Sequence, residues 1–299
     1  MEIKAYLTAQ RILVEEHLDR FMLAEEPPFA DHIRSMRYSL FVGGKRVRPI
    51  LCLAAARAVA PHESDIDGQV MPVACALECI HTYSLIHDDL PAMDDDTLRR
   101  GKPTNHVVFG EAEAILAGDG LLTFAFDLLS DGGLSSLEPA TRLEIVNTIA
   151  RAAGPLGMVG GQFLDIDNEN SETSYEMLRT IHRSKTGALI TASVRSGALA
   201  GGANADQLRS LTEYGDNIGL AFQIVDDLLN VESTPEQLGK AVGSDAERGK
   251  ATYPALFGLE RTRTMAAEAV ERGLAALKDF DHRAEPLREL ARYIINRKR

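Results

Sequence analysis

The chain has 299 residues, of which 45% are hydrophobic and 25% charged, and its formal net charge is −12. This length and composition favour a folded globular protein and argue against a disordered chain. The acidic balance argues against an extended basic surface for nucleic acid or an anionic membrane, so we expect no nucleic-acid partner.

The N-terminal stretch MEIKAYLTAQRILVEEHLDR mixes acidic and basic residues and lacks the apolar core and cleavage site of a signal peptide. No apolar run approaches the roughly 18 residues that would span a bilayer, so we predict no membrane anchor. Cys52, Cys75 and Cys79 show no CxxC spacing and cannot all pair, and Cys75 and Cys79, which have apolar neighbours at helical spacing, are predicted to be buried free thiols. These features together predict a cytoplasmic protein.

Apolar residues recur at helical spacing along most of the chain, as in ILCLAAARAVA and TRLEIVNTIARAA, whereas alternating strand-like segments are scarce. Turn signals divide the sequence into roughly ten helices, and no shift in composition marks a linker. The sequence therefore predicts one all-α domain over residues 1–299. VACALECIHTYSLIH and TGALITASVRSGALAGG are apolar on nearly every face, so we expect them to be central helices.

An acidic stretch, HDDLPAMDDDTLRRG, follows the first central helix. His81, Ser84 and Asp88 are spaced i, i+3 and i+7, which places them on one helical face. Pro91 has no amide hydrogen and its ring clashes with the preceding turn, so the helix is predicted to kink or end there. A break at that point lets Asp94 return beside Asp88.

A second acidic motif, AFQIVDDLLN, contains no helix breaker, so Asp226 and Asn230 share a face directly. Two such clusters facing one cavity would repel each other without cations. Hard oxygen donors that leave room for water indicate Mg²⁺ bound largely through a phosphorylated substrate, rather than zinc or a closed calcium cage. The alternative is that each acidic pair is a surface feature, which poorly explains a doublet inside an apolar helix.

Basic residues in unusual settings complete the pattern. Gly43 and Gly44 precede Lys45 and let the backbone approach a ligand closely. Lys185-Thr186-Gly187 is predicted to open an apolar helix, where amide groups and the helix dipole favour an anion. Singly, each cation could be a solvated surface charge, but arginine and lysine suit phosphate oxygens, so together they predict more than one phosphate group. The residues are Lys45, Arg46, Arg48, Arg99, Arg100, Lys185, Lys240 and Lys250.

Five separated motifs resemble the trans-polyprenyl diphosphate synthases, especially the bacterial farnesyl diphosphate synthases: GGKRVRP, LECIHTYSLIHDDLPAMDDDTLRRGKPT, HRSKTGAL, LAFQIVDDLL and GKAVGSDAERGKATYPALFGLE. The resemblance implies an all-α isoprenoid-synthase helical bundle around a central apolar cavity, usually as a homodimer. It also implies that isopentenyl diphosphate and an allylic diphosphate, either dimethylallyl or geranyl, condense to farnesyl diphosphate. The implied cofactor is Mg²⁺, three ions per site, with Mn²⁺ as an alternative ion.

The same resemblance assigns roles to individual residues. The implied metal ligands are Asp88, Asp94 and Asp226, with Asp89 assisting. The allylic diphosphate would be held by Arg99, Lys185, Thr186, Gln223, Lys240 and Lys250. Isopentenyl diphosphate would be held by Lys45, Arg48, His81 and Arg100. The four aspartates, Arg99, Lys185 and Lys240 are expected to be catalytic. The segment 239–254 and Arg297–Arg299 resemble the family's mobile cover, although as sequence alone they could be a loop and a frayed tail.

Two positions bear on finer properties. Asn230 stands where the family usually has a further aspartate, which predicts weaker binding of the third metal ion. Tyr83, with Ser84 after it, occupies the position of an aromatic that floors the chain cavity in farnesyl synthases. We therefore expect a farnesyl product. The insertion Pro91-Ala92 also occurs in bacterial-type geranylgeranyl synthases, so that product is the alternative, and Tyr83 could equally be an ordinary core tyrosine.

Other protein classes explain the sequence less well. A class I terpene cyclase shares the first motif, but its second metal motif does not fit the residues after Asp226, and it has no use for Lys45, Arg48 and His81. A non-catalytic regulatory subunit of a heteromeric synthase would tolerate broken motifs, whereas nearly every charged position is present here. An acidic metal-storage module would not need the arginines.

Overall fold

The computed structural model of the chain describes residues 1–61, 65–169, 171–232 and 250–296. Within these ranges the chain is predominantly helical, which confirms the predicted all-α fold. The α-helices are α1 (Ile3–Phe21), α2 (Ala30–Phe41), α3 (Val47–Val59), α4 (Ile66–Asp88), α5 (Asn105–Phe109), α6 (Glu111–Ser130), α7 (Pro139–Ala153), α8 (Met158–Asp167), α9 (Tyr175–His182), α10 (Ala188–Ala200), α11 (Ala205–Glu232), α12 (Tyr253–Ala276) and α13 (Glu285–Asn296). A π-helical turn (Arg183–Gly187) joins α9 to α10, and a 3₁₀ turn (His282–Ala284) precedes α13.

Helix α4 is the central helix that its apolar sequence predicted. Its N-terminus is capped by the side chain of Asp65, which accepts a hydrogen bond from the backbone N–H of Gly68. Nearly all of its residues from Val70 to Ile80 are buried, because α3 and α6 pack against different sides of it. A helix covered in this way has little freedom to shift, so its C-terminal end is a rigid platform for the first acidic motif.

The buried side chains form two apolar clusters that meet at α3 and α10. Cys52 and Leu53 of α3 belong to the cluster around α4 and α6, whereas Ile50 and Leu51 belong to the cluster around α11 and α12. Helix α10 contributes to both clusters in the same way. These two helices therefore connect the part of the core that carries the first acidic motif to the part that carries the second.

A short hairpin follows the first acidic motif. Strands β1 (Leu98–Arg99) and β2 (Lys102–Pro103) pair antiparallel, with Arg99 opposite Lys102. Arg100 and Gly101 form the two-residue turn and have φ angles of 54° and 75°. Two positive φ angles are typical of the tight hairpin turns that match strand twist. The turn points the side chain of Arg100 to the carbonyl oxygen of Gly43, to which it donates a hydrogen bond.

Cys75 and Cys79 are buried free thiols, as predicted, and so is Cys52. Burial raises the pKa of each of the three thiols above its ordinary value. Within the described ranges, no helix has both the length and the apolar character needed to cross a membrane.

Candidate active site

The first acidic motif lies where α4 ends and the chain turns back on itself. Asp88 is the last residue of α4, and the backbone N–H of Asp94 donates to the carbonyl oxygen of Asp88 at 2.9 Å. This hydrogen bond confirms that a break near Pro91 returns Asp94 to Asp88. Burial raises the pKa of Asp88, Lys185 lowers it and Asp94 raises it again, so that the net pKa lies above its ordinary value.

Two lysines from distant parts of the chain reach this motif. Lys250 Nζ lies 3.2 Å from Asp94 Oδ1 and 3.5 Å from Asp165 Oδ2, and Lys185 Nζ lies 2.6 Å from the same Asp165 oxygen. Burial alone would raise the pKa of Asp165, but the two lysines outweigh it and hold that pKa below its usual range. Burial would lower the pKa of Lys250, but Asp165 and Asp94 keep it above its ordinary value. Lys250 therefore carries its charge beside the first motif.

Helix α8 and the turn after it contribute side chains that sequence reasoning missed. Gln162 Nε2 on α8 donates to Asp88 Oδ1 at 2.6 Å, and Asp165 on α8 accepts from Lys185 Nζ. Glu169, in the turn after α8, has its Oε1 3.8 Å from Lys250 Nζ. Residues 162 and 165 are spaced i and i+3, which places them on one face of α8. The signal was therefore present in GGQFLDIDNEN, but these carboxylates resemble ordinary solvated charges.

Lys185 and Thr186 lie inside the π-helical turn and not at a helix start. The turn continues α9 into α10 with right-handed helical backbone angles on both sides, and its backbone N–H groups follow a helix that has already begun. The prediction that Lys185-Thr186-Gly187 opens a helix with free amide groups is therefore wrong. The apolar pattern of α10 does begin there, but the helical backbone starts earlier, in the more polar α9. Isolated π turns inside helices are frequent at functional sites.

Two glycines allow neighbouring helices to touch this turn through their backbones. A Cβ atom at Gly161 would lie 2.2 Å from the backbone N of Lys185, and one at Gly219 would lie 2.9 Å from the Cα of Gly187. Both distances are too short for a real Cβ atom. Helices α8 and α11 therefore hold the turn closely, and a larger residue at Gly161 would displace Lys185.

The second acidic motif lies in the unbroken helix α11. Asp226 is half-buried and Asn230 is buried, as expected for residues on one inward face. Asp227 points elsewhere: it is 2% exposed, and its Oδ1 accepts from Gln223 Nε2 at 3.0 Å. Gln223 Oε1 in turn accepts from Thr186 Oγ1 at 2.9 Å. The structure thus brings together Thr186 and Gln223, which were both assigned to the allylic diphosphate.

A cationic cluster lies between α3, α4 and the hairpin and consists of Arg46, Arg48, Arg99, Arg100 and His81. Arg48 Nε is buried and has no hydrogen-bond partner among the described residues. Burial lowers the pKa of Arg48, although Glu78 and Asp226 oppose that change. Burial and the surrounding arginines hold the pKa of His81 well below its ordinary value, so its imidazole is neutral at physiological pH. A buried guanidinium nitrogen without an acceptor is a site for an anion.

The members of this cluster differ in how far protein carboxylates neutralise them. Arg99 Nε donates to both carboxylate oxygens of Asp89, at 2.9 and 2.8 Å, and Asp89 is only 3% exposed. Arg46 Nη1 donates to Glu78 Oε1 at 2.8 Å. In the described part of the chain, neither Arg48 nor Arg100 forms an ion pair. The cluster therefore keeps excess positive charge at these two residues.

Tyr83 and Ser84 precede Asp88, the last residue of α4, by five and four residues, which is slightly more than one helical turn. The buried ring of Tyr83 makes an edge contact with His87, with centroids 5.7 Å apart. Burial raises the pKa of Tyr83, and the nearby charge of Asp119 on α6 adds to the rise. Ser84 Oγ donates to the carbonyl oxygen of His81 at 2.8 Å. The side chain of Tyr83 thus lies on the side of α4 that faces α6, and it is more deeply buried than that of Asp88.

Only some of the remaining predicted residues lie in the described ranges. Lys45 is exposed in the loop between α2 and α3. Lys240 lies outside the described residues, as do Arg297–Arg299 and residues 239–249 of the predicted cover. The described end of that segment, from Lys250 onward, reaches the first motif through the lysine itself.

The oxygen donors suit a divalent cation with an open coordination shell. Asp88 and Asp94 supply carboxylates at the first motif, and Asp226 supplies one at the second. In the ranges that the structure describes, no three His, Cys, Asp or Glu side chains are grouped as a metal cage. Mg²⁺ binds through few carboxylates and keeps several positions for water and substrate phosphates. The donor set therefore fits Mg²⁺ held together with a phosphorylated ligand.

Comparison with known proteins points to one family. The family model described as "Polyprenyl synthetase" matches residues 31–288. The chain is 49% identical over 282 residues to a farnesyl diphosphate synthase of Geobacillus stearothermophilus, covering 94% of this chain and 93% of that protein. It is 44% identical over 293 residues to a geranylgeranyl diphosphate synthase of Cyanophora paradoxa, covering 98% and 95%. The apo crystal structure of an FPP/GFPP synthase from Zymomonas mobilis matches with a TM-score of 0.85 at 36% identity, covering 98% of each chain.

Proposed function

Because the chain belongs to the polyprenyl synthetase family, we propose that it is a prenyltransferase that elongates an allylic diphosphate with isopentenyl diphosphate, head to tail between C1′ and C4. One observation carries the proposal. Carboxylates with adjacent lysines lie at the first motif, and a separate cluster of arginines surrounds His81. Two distinct sites for anions are what a condensation of two diphosphates requires.

The allylic diphosphate would lie by the first motif. Asp88, Asp94 and Asp226 would hold three Mg²⁺ ions, with Mn²⁺ as an alternative, and bound ions would neutralise charge that develops on the leaving diphosphate. Lys185, Thr186 and Gln223 already lie together around the π turn, and Lys250 reaches Asp94. These side chains would turn from their carboxylate and amide partners to the diphosphate oxygens, together with Arg99 and Lys240.

Isopentenyl diphosphate would lie in the cationic cluster. Arg48 has a buried nitrogen without an acceptor, and Arg100 contacts only a backbone carbonyl among its described partners. Their charges would be compensated by the diphosphate, with Lys45 contributing from the rim. Neutral His81 would donate one hydrogen bond without adding charge. Arg46 is committed to Glu78 and therefore has a structural role in this proposal.

The reaction then proceeds by charge separation and needs no nucleophilic side chain. The allylic C1–O bond breaks and its electron pair stays on the diphosphate, where Lys185 and Lys250 stabilise the added charge. The double bond of isopentenyl diphosphate supplies the electron pair for the new bond to C1. A proton then leaves C2 of the former isopentenyl unit and passes to the departed diphosphate. Apolar walls exclude water, which would otherwise capture the cation.

The proposed product is farnesyl diphosphate. Tyr83 precedes Asp88 by five residues on α4 and thus lies about 7.5 Å deeper along the helix axis. Its ring is buried and faces α6, where it would block an elongating chain. A farnesyl and a geranylgeranyl synthase are both similar to this chain, so the geranylgeranyl product is the alternative.

A homodimer is also proposed, from exposed apolar side chains near the site. Leu116 on α6 and Phe163 on α8 are 54% and 66% exposed. The two helices flank the same end of α4, because His87 contacts the Ile115 carbonyl and Asp88 contacts Gln162. Leu116→Glu and Phe163→Glu should therefore yield monomers in analytical ultracentrifugation, whereas Leu256→Glu on α12 should not. Dimers in every variant would refute this surface.

Two further expectations accompany the proposal. The chain would form one domain over residues 1–299, which is supported by α3 and α10 contributing to both apolar clusters. It would work in the cytoplasm, which is supported by the three buried unpaired thiols.

The experiment that tests the function offers isopentenyl diphosphate with dimethylallyl or geranyl diphosphate to the purified chain, with and without Mg²⁺. The products are dephosphorylated and sized by chromatography. We expect farnesol only with Mg²⁺, and longer products from Tyr83→Ala but not from the control Tyr293→Ala on α13. Geranylgeraniol from the unchanged chain would refute the Tyr83 floor alone, whereas no condensation would refute the proposed reaction.

A further inference from the structure

A series of hydrogen bonds through the buried Asp227 joins three separate segments. Thr186 Oγ1 donates to Gln223 Oε1 at 2.9 Å, and Gln223 Nε2 donates to Asp227 Oδ1 at 3.0 Å. The backbone N–H of Tyr253 donates to Asp227 Oδ2 at 2.9 Å. Both carboxylate oxygens thus accept hydrogen bonds from the protein, and the side chain is 2% exposed. This is a different environment from that of the neighbouring Asp226, which is half-buried.

One arm of the series fixes the start of α12. Tyr253 is the first residue of that helix, where backbone N–H groups have no acceptor within the helix. Asp227 supplies the acceptor for Tyr253, and the buried ring of Tyr253 packs on His182 with centroids 5.4 Å apart. Lys250 precedes Tyr253 by three residues and reaches Asp94. The position of Tyr253 therefore determines where Lys250 enters the site.

The other arm fixes the π turn. Gln223 holds Thr186 through its side-chain oxygen, and Thr186 directly follows Lys185. The close backbone contact of Gly219 with Gly187 brings α11 against the same turn. Since Gln223 has its amide orientation set by Asp227, the carboxylate of Asp227 also determines how Lys185 is presented to the first motif.

We propose that Asp227 is a positioning residue for Lys185 and Lys250, and that it does not bind metal. The role rests on the proposed function, in which both lysines bind the leaving diphosphate. Asp226 would contact the metal directly, whereas Asp227 would act on the two lysines through Gln223 and Tyr253. The two adjacent aspartates would thus have different roles: Asp226 would bind a ligand, and Asp227 would align the two lysines.

Two substitutions separate geometry from charge. Asp227→Asn keeps the shape and can satisfy the same partners: its oxygen accepts from Tyr253 N–H, its amide donates to a flipped Gln223, and Gln223 then donates to Thr186. Asp227→Ala removes both acceptors. Asp226→Asn serves as the metal-ligand comparator. Asp216→Asn is the matched control, because Asp216 lies on the same helix and accepts from Thr191 Oγ1 at 2.8 Å, away from both motifs.

For Asp227→Ala we expect kcat/KM for the allylic diphosphate to fall by about 10-fold to 100-fold, the usual cost of losing an orienting partner. The KM for isopentenyl diphosphate and the Mg²⁺ concentration for half-maximal rate should change little. Asp227→Asn should recover most of the loss. In the substrate-free protein, the amide of Tyr253 should exchange hydrogen faster in Asp227→Ala than in the unchanged chain, Asp227→Asn or Asp216→Asn.

The measurements distinguish the possible failures. If Asp227→Asn raised the Mg²⁺ requirement as much as Asp226→Asn, Asp227 would be a metal ligand and the proposal would be wrong. Unchanged exchange at Tyr253 in Asp227→Ala would show that the carboxylate does not anchor α12. If Asp227→Ala lowered kcat/KM equally for both substrates and also raised the KM for isopentenyl diphosphate, Asp227 would have a general structural role and the proposal would be wrong. Hydrogen exchange needs no turnover, so a chain that failed to condense any substrate would refute the proposed function without deciding this test.

Discussion

The two Asp-Asp doublets have the same sequence, and in each the first aspartate is half-buried and the second is buried. Their hydrogen-bond partners differ. Asp89 and Asp227 are 3% and 2% exposed, whereas Asp88 and Asp226 are half-buried at the site. Asp89 is paired with the guanidinium of Arg99. The described donors to Asp227 are the amide of Gln223 and the backbone N–H of Tyr253. From this difference in exposure and partners, we expect the first aspartate of each doublet to bind a ligand and the second to organise the protein around it.

The doublets also differ in how their surroundings are assembled. The first is built locally, because the turn after α4 returns Asp94 to Asp88 within the same loop. The second depends on residues far apart in the sequence, since Asp227 connects the π turn to the start of α12. A change near the first doublet should mainly remove a ligand, whereas a change near the second should also move distant groups.

The largest effect should come from removing the first aspartate of either doublet. Asp88→Asn and Asp226→Asn should each lower kcat by about 10²-fold to 10³-fold, because each removes charge that stabilises the leaving diphosphate. Steady-state kinetics at saturating substrates would measure the loss. Burial raises the pKa of Asp88, which means that its ionised form opposes folding. Without metal, Asp88→Asn should therefore unfold at the same temperature as the unchanged chain or a higher one.

Asp216→Asn is the control, and its kcat should match that of the unchanged chain. A lower kcat in Asp88→Asn but not in Asp226→Asn would show that the first aspartates of the two doublets are not equivalent. It would mean that the second motif does not supply the third metal ion.

The next effect concerns His182, whose buried ring packs on Tyr253. Burial lowers the pKa of His182 to about 4, with Asp165 opposing and Lys185 adding to the shift. His182 is therefore neutral in the folded chain at pH values where the unfolded chain is protonated, and stability should fall as pH drops from about 6.5 to 4, by about 3 kcal/mol at most. His182→Phe keeps a ring against Tyr253 and should lack this component.

The measurement is the difference in free energy of unfolding between the unchanged chain and His182→Phe as a function of pH, from urea denaturation. Titrating groups that do not interact with His182 cancel in the difference. A difference that stayed constant from pH 7 to pH 4 would show that His182 does not remain neutral in the folded chain.

The sequence predicted the local features of this site better than the distant ones. The break near Pro91 and the shared face of Asp226 and Asn230 follow from helix geometry, and the structure shows both. The helix start assigned to Lys185 was wrong, since hydrophobic periodicity shows where an apolar face begins but not where the backbone becomes helical. The contact of Asp165 with Lys185 could not be predicted, because nothing in either segment specifies which distant charge will face it.

A smaller effect is expected at the lysine that joins the two regions. Lys250→Ala should lower kcat/KM for the allylic diphosphate by about 10-fold to 100-fold, since it removes one charged contact to the leaving group. It also leaves Asp94 and Asp165 without a cation that lies within 3.5 Å of each. The metal-free variant should unfold at a lower temperature, and Mg²⁺ should stabilise it more than it stabilises the unchanged chain.

Thermal unfolding with and without Mg²⁺ would measure this, with Lys278→Ala as the control for an exposed lysine. Equal Mg²⁺ stabilisation of Lys250→Ala and the unchanged chain would show that Lys250 does not compete with the metal for these carboxylates.

The smallest effect should come from giving the second motif another carboxylate. Asn230 is one turn after Asp226 and is 5% exposed, so its amide oxygen reaches the same side without charge. Asn230→Asp should lower the Mg²⁺ concentration for half-maximal rate by roughly threefold, because a carboxylate binds a hard cation more strongly than an amide. The same buried charge should lower the unfolding temperature without Mg²⁺.

Asn217→Asp adds the same charge to the same helix away from the site and should leave the Mg²⁺ requirement unchanged. If Asn230→Asp behaved like Asn217→Asp, the third ion would not be influenced by this position, and Asp226 with the substrate oxygens would suffice to hold it. If instead Asn230→Asp lowered the Mg²⁺ requirement, the affinity of the second motif for the metal ion would be limited by its charge. At the positions proposed for the metal ions, the first motif has two carboxylates, Asp88 and Asp94, where the second has one carboxylate and one amide.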